Sequence, residues 1–371
     1  MKYRNILFLF LVVIFGIILS SCEPQQIASK YETISIEDDI KTETEWSGDK
    51  IYLIKKTDFR VENVLTIHPG AIIKFTANAG DVTVSRTGKI IARGISSNPI
   101  IFTSVKDDDN GGDSNDDGGN TSAAKGDWNG ISLTNTVGSE FVYCEFLYGG
   151  KNDELKRSST LDITDNSSAV VKNCTFAYNG GKFDANTCRA ALRAVNADVE
   201  NTIIANNTFH SNDLPLAIYT EQSIDNSNKF SDAGKLNKYN GIFVEGLVIN
   251  KNVTWTENEV AFVITANNLS VFLGNTLTLS NNVVLKFLEG ATLNLENGEE
   301  ALINHDAHGV YFTSFKDDEH GGDSNGNNNA DENILTDSYY DWNGIFTGGQ
   351  KNNDYAQWLN ILYASSRPIA K

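Results

Sequence analysis

Two stretches of the 371-residue chain gather oxygen-bearing side chains at spacings that suit a hard cation. In FTSVKDDDNGGDSNDDGG, Phe102 to Gly119, the residues Asp113, Asn115 and Asp117 alternate and Gly118 follows. That Asp-x-Asn-x-Asp-Gly order opens a calcium loop: alternate oxygens converge on one ion, the glycine permits the sharp turn, and calcium takes roughly six to eight oxygens. Asp107, Asp108 and Asp109 lie just upstream and Asp127 downstream, so the expected ligands are Asp107, Asp109, Asp113, Asn115 and Asp117. The twelfth position, where an EF-hand needs an acid, is Ala124, and no flanking helices are expected. The second stretch, FTSFKDDEHGGDSNGNNN from Phe312 to Asn329, offers Asp317, Asp323, Asn325 and Asn327, with Asp318 and Asp331 nearby. It has Asn327 and Asn328 where the first has Asp117 and Gly118, so weaker binding is predicted. The alternative for both is a solvated, Gly-rich loop whose acids keep it soluble.

Other groups able to do chemistry are scattered. A polysaccharide lyase needs a charge-neutralising group, often calcium, and a Lys or Arg that takes the proton beside a uronate carboxylate. Lys182, Arg189 and Arg193, after Lys151, Lys156 and Arg157, are the available bases, without an evident partner constellation. A glycoside hydrolase needs two carboxylates at a set separation, and adjacent Asp pairs occur only near the N-terminus and in the acidic loops. His68, His210, His305, His308 and His320 are dispersed, and His305 with His308 alone make a poor zinc set. Trp128 and Trp342 each sit in Asp-Trp-Asn-Gly-Ile. Of a sugar platform and a clamp whose indole N–H reaches a loop carbonyl, their place beside a turn favours the clamp.

The elements that position these residues repeat. Leu65-Thr66-Ile67, Ile73-Lys74-Phe75 and Asp127-Trp128-Asn129-Gly130-Ile131 recur as Leu277-Thr278-Leu279, Leu285-Lys286-Phe287 and Asp341-Trp342-Asn343-Gly344-Ile345. The duplicated units run from about 50 to 135 and from about 260 to 346. Within them, runs such as Val64–Ile67, Ala71–Phe75 and Lys89–Ala92 are short, β-branched and bounded by Gly, Asn or Pro, while no helical period is sustained. Phe141–Phe146 and Val171–Phe176 repeat a Cys and a closing Phe thirty residues apart, which places Cys144 and Cys174 at equivalent points. In neighbouring coils the two would form either a disulfide or stacked thiols. Short parallel strands about 4.8 Å apart with Asn and Gly corners make an all-β solenoid, in which stacked Asn side chains bond the turns of the next coil.

The ends and the charge set the expected context. Lys2 and Arg4 precede an apolar run from Ile6 to Leu19, and Leu19-Ser20-Ser21-Cys22 resembles a bacterial lipobox. The organisation expected is a signal over 1–21, a polar acidic tether over 22–44 and a solenoid over 45–371, with Cys22 acylated and the chain held at a membrane surface. No later segment has the roughly 18 apolar residues of a membrane-spanning helix. The formal charge of −18 disfavours nucleic acid and anionic lipid as partners, and it favours cations such as calcium.

The order PGAIIKF, GKIIARG, NPIIFTS, an Asp-Gly loop and GDWNGI resembles the right-handed parallel β-helix lipoproteins of Bacteroidota, within the pectin-lyase-like superfamily. The match is good from Leu65 to Ile131 and departs in the second unit, where Ser280-Asn281-Asn282 replaces His68-Pro69-Gly70. The resemblance implies a right-handed β-helix with protruding acidic loops, and it names no single activity. The function expected is a noncatalytic outer-membrane or cell-surface lipoprotein, calcium-stabilised, that engages a protein complex or a glycan. The alternative is a calcium-dependent polysaccharide lyase.

Overall fold

Strands of three to five residues closed by Asn or Gly corners cannot bury their apolar side alone, so each must lie on an equivalent strand one turn away. The computed structural model describes residues 31–76, 79, 81–151, 159–184, 187–328, 340–348, 350–351 and 358–365. Among them there is no α-helix, and the strands form a right-handed parallel β-helix. One coil runs through Val64–Ile67, Ile72–Phe75 and Asp81–Ser85, one strand per face, before Lys89–Arg93 returns to lie parallel to Val64–Ile67.

Three sheets follow from this winding. The first has seven strands, from Glu32–Ile36 through Ile72–Phe75 and Ile100–Ser104 to Thr208–His210; the second has six, from Thr44–Trp46 to Ile203–Ala205. The third has ten, from Phe59–Val61 to Tyr311–Ser314. Past residue 245 the cross-section changes. A five-stranded sheet beginning at Val248–Ile249 and a three-stranded one beginning at Val253–Trp255 replace the first two, while the ten-stranded sheet continues through both halves.

In-register repetition fills the interior. Phe102, Phe146, Phe176, Phe209 and Phe230 stack with ring centroids 4.9, 4.7, 5.1 and 5.3 Å apart. At a corner, Asn212 donates to the Phe176 carbonyl at 2.8 Å and accepts the Asn179 N–H at 3.0 Å, bonding the preceding coil as expected of an Asn stack. Asn212→Ala orphans both buried groups and is expected to cost about 1–3 kcal/mol, read as a lower denaturation midpoint.

The expected tether is corrected in its second half. Glu32–Ile36 pairs in parallel with Lys50–Ile54, Ile40 bridges Val61, and Thr44–Trp46 pairs with Leu65–Ile67. Ile34, Ile36, Ile40 and Trp46 meet the core, so the solenoid already includes Glu32–Ile36; the acids between them occupy the solvent side and gave the segment its tether-like composition. Cys22 lies outside the described residues. Cys144 and Cys174 directly precede the register pair Glu145↔Thr175, and both are buried free thiols. Of the two alternatives for this pair, the structure has stacked thiols and no bridge.

Candidate functional site

Each acidic loop is built on a lysine in the middle of an apolar strand. Strand alternation turns Ile73 and Phe75 into the core and Lys74 outward, yet Lys74 is fully buried because the following loop folds over it. Its Nζ donates to the Asp107 and Gly112 carbonyls, both at 2.7 Å. The loop lies so close to the sheet that a Cβ on Gly111 would sit 2.9 Å from Ile51 Cδ1, at a φ of +85° that itself favours glycine. Burial lowers the Lys74 pKa, and the charges of Asp107, Asp108 and Asp113 oppose that shift.

The second loop repeats the device residue by residue. Lys286, also buried, donates to the Gly322 carbonyl, and desolvation brings its pKa to about 8 against the pull of Asp317, Asp318 and Asp323. Thr103 donates to Asp107 and Thr313 to Asp317, each at 2.5 Å. Ser104 and Lys106 hold Asp127 at 2.8 Å, as Ser314 and Lys316 hold Asp341 at 2.5 and 2.9 Å. Trp128 stacks on Phe75 with centroids 4.1 Å apart and donates to the Leu147 carbonyl at 2.8 Å; Trp342 stacks on Phe287 at 4.2 Å and donates to the Leu362 carbonyl at 2.8 Å. Both tryptophans are clamps; the Trp128 indole reaches the last residue of strand Cys144–Leu147, and that of Trp342 reaches Leu362, which lies outside any strand.

The structure groups the acids differently from the sequence expectation. The first loop brings together Asp108, Asp113 and Asp117, with one carboxylate oxygen of each within 4.8 Å of the others. Asp107 is instead turned into the protein, accepting from Thr103 and Asn110, and Asp109 is exposed. Asp113 also accepts the N–H groups of Asp117 and Gly118, which fixes the turn. Asn115 donates to Asp117 at 2.7 Å, while Asn115 Oδ1 and Asp108 Oδ1 are buried and accept no hydrogen bond. Burial raises the Asp108 pKa, and the neighbouring charges of Asp113 and Asp117 add to the rise. Asp117 is held low by the Thr121 hydroxyl and the N–H groups of Gly119 and Asn120.

In the second loop Asp323 accepts the N–H groups of Gly326, Asn327 and Asn328, and Asp317 accepts from His320 at 2.9 Å. Asn325 accepts the Asn327 N–H at 3.1 Å. Among the described residues no second carboxylate triad forms there, and Asp331 lies outside them.

Of the basic residues considered for proton transfer, Lys156 and Arg157 lie outside the described residues, and Arg193, Arg189 and Lys182 are engaged elsewhere. Arg193 forks onto Glu245 at 2.9 and 3.1 Å and reaches Asp162 at 3.1 Å on the outer face of the ten-stranded sheet. Arg189 donates to the Cys188 carbonyl and Lys182 pairs with Asp184 at 2.8 Å. His305 stacks on Trp358 at 3.8 Å and meets Glu299 at 2.9 Å. Glu257 escaped the sequence reading altogether. It is 1% exposed at the corner before Ala261–Ile264, with Oε1 accepting the Asn258 and Glu259 N–H groups and Oε2 accepting nothing.

The outward lysines could have been found from IIKF and VLKF, since a charge at the centre of a buried parallel strand needs a cover. Nothing in the sequence marks Glu257, which occupies a corner of ordinary composition. No curated protein and no solved structure matches the chain. Residues 38–194, which hold the first loop and its lysine, match the family model of the pectate-lyase like beta helix domain.

Proposed function

We propose that the chain is a noncatalytic lipoprotein of the outer membrane or cell surface, acylated at Cys22, whose rigid β-helix binds a protein complex or a glycan. The observation that carries this reading is the use made of the acidic loops. Lys74, Asp107, Asp127 and Trp128, and their counterparts Lys286, Asp317, Asp341 and Trp342, are all committed to holding loop against coil. A device used twice for architecture suits a scaffold with long stacked faces. Purification of the acylated protein from detergent-solubilised membranes, followed by identification of co-purifying proteins and retained glycan, tests it; recovery of neither sinks the binding role.

Calcium belongs to this reading at the first loop. Asp108, Asp113 and Asp117 supply hard oxygens, and the unbonded Asp108 and Asn115 oxygens leave acceptor capacity that a cation would use. Calorimetric titration is expected to give heat that Asp113→Ala abolishes and Asp323→Ala largely spares. Calcium at about 100 times its Kd should add about 2.7 kcal/mol to stability. A wild type with neither heat nor a rise in melting temperature would remove the ion from the account.

The second reading, a calcium-dependent polysaccharide lyase, is favoured by the same triad and by the pectate-lyase like match. It predicts a gain in ultraviolet absorbance on uronate polymers that chelator and Arg189→Ala both abolish. Flat traces on alginate, pectate and glycosaminoglycans would leave the scaffold.

A further inference from the structure

The outer row of the ten-stranded sheet runs Arg60, Thr83, Ser132, Asp162, Arg193, Ala217, Phe243, Val263, Lys286 in register. Its far end is covered: Phe183 and Phe315 pack on Phe243, and the second loop lies over Lys286. Its near end is open and holds a pocket of about 760 Å³ lined by Lys41, Arg60, Glu62, Thr83, Ser85 and Arg86. Lys41, Arg60 and Arg86 are exposed and form no ion pair among the described residues. Asp39 takes the Arg60 backbone N–H and lies 3.7 Å from Lys56, and Glu62 is the one acid among the described residues that line the pocket.

Two further features set this end apart. Arg86 has φ +57°, in a corner whose equivalents in later coils are Asn135 at +51°, Asp165 at +51° and Asn196 at +57°. Asn and Asp tolerate that left-handed conformation, whereas an Arg there is uncommon and strained by about 1–2 kcal/mol. The first coils are also close to neutral: residues 31–93 hold nine Lys and Arg against ten Asp and Glu, in a chain of net charge −18. Repulsion from the acidic remainder is screened over about 8 Å at physiological salt.

We infer that this pocket binds the phosphate groups of anionic lipid headgroups and seats the first coils of the rod on the membrane. The argument rests on the proposed acylation of Cys22. The first described strand starts at Glu32, and ten residues of chain allow at most about 35 Å between Cys22 and that strand. Each basic residue near an anionic surface strengthens binding about fivefold.

The full acylated chain, reconstituted in vesicles of phosphatidylcholine or of phosphatidylcholine with phosphatidylglycerol, provides the test through hydrogen–deuterium exchange at residues 60–63 and 85–88. Exchange is expected to slow about tenfold in the anionic vesicles alone. Arg60→Gln with Arg86→Asn should abolish the slowing; Arg86→Asn restores the residue of the next coil, so loss of fold is not expected. Equal exchange in both vesicle types, with Cys22 shown by mass spectrometry to be acylated, overturns the inference. So does equal slowing by inorganic phosphate in detergent, which would mark a soluble-phosphate site. If Cys22 proves unmodified, the anchored reading fails by itself, and sedimentation of the full chain with the two vesicle types decides the pocket.

Discussion

Lys286→Ala is expected to destabilise the protein by about 3–5 kcal/mol, because it removes a buried charge from beneath a folded acidic loop, along with its bond to the Gly322 carbonyl and its attraction for the carboxylates above it. Lys286 is fully buried, bonds the Gly322 carbonyl and faces Asp317, Asp318 and Asp323. The readout is the melting temperature together with proteolysis of 315–328, which should become rapid in the variant. Lys286→Met preserves the stem and separates lost packing from lost charge. A variant with an unchanged melting temperature and an intact loop would show that the lysine is merely covered and holds nothing. Lys74→Ala should behave alike at the first loop, with a smaller loss when calcium is present, since the ion would share the work of neutralising Asp108 and Asp113.

Glu257→Gln should move stability the other way. Burial, with some help from the charges of Glu259 and Asp225, raises the Glu257 pKa from 4.5 to about 7. The protonated side chain is therefore favoured in the folded state. Its contribution is fully present below the unfolded value of 4.5 and is lost as pH rises to about 7, where the penalty levels off. A glutamine keeps an oxygen for the Asn258 and Glu259 N–H groups and carries no charge to desolvate. It is expected to add about 1–3 kcal/mol above about pH 7.5 and little below about pH 4.5. Parallel denaturation curves for the two proteins across that range would contradict the assignment.

The fold was readable because its cause is local and repeated. Two-residue alternation, an Asn or Gly at each corner and a closing Phe at equivalent points were enough to bring Phe146 and Phe176 to matching places in neighbouring coils, where they stack. The tether boundary was misplaced because Glu32–Ile36 owes its order to pairing with Lys50–Ile54, a partner that composition does not reveal. Spacing singled out Asp113 and Asp117, and the structure brings their carboxylates together with that of Asp108. Spacing could not rank Asp107, Asp108 and Asp109, because which of three consecutive acids turns inward is decided by Thr103 and the path over Lys74. Glu257 and the open pocket at Arg60 depend on which coil lies above and what covers the sheet, and neither leaves a trace in one sequence.

The duplicated units share their contacts but not their position around the rod. Ile72–Phe75 belongs to the seven-stranded sheet and Val284–Phe287 to the ten-stranded one, so the two loops project from adjacent sides at different heights. Their likeness in sequence therefore does not make them a pair for recognition. A molecule that met both loops would have to span two sheets of the rod.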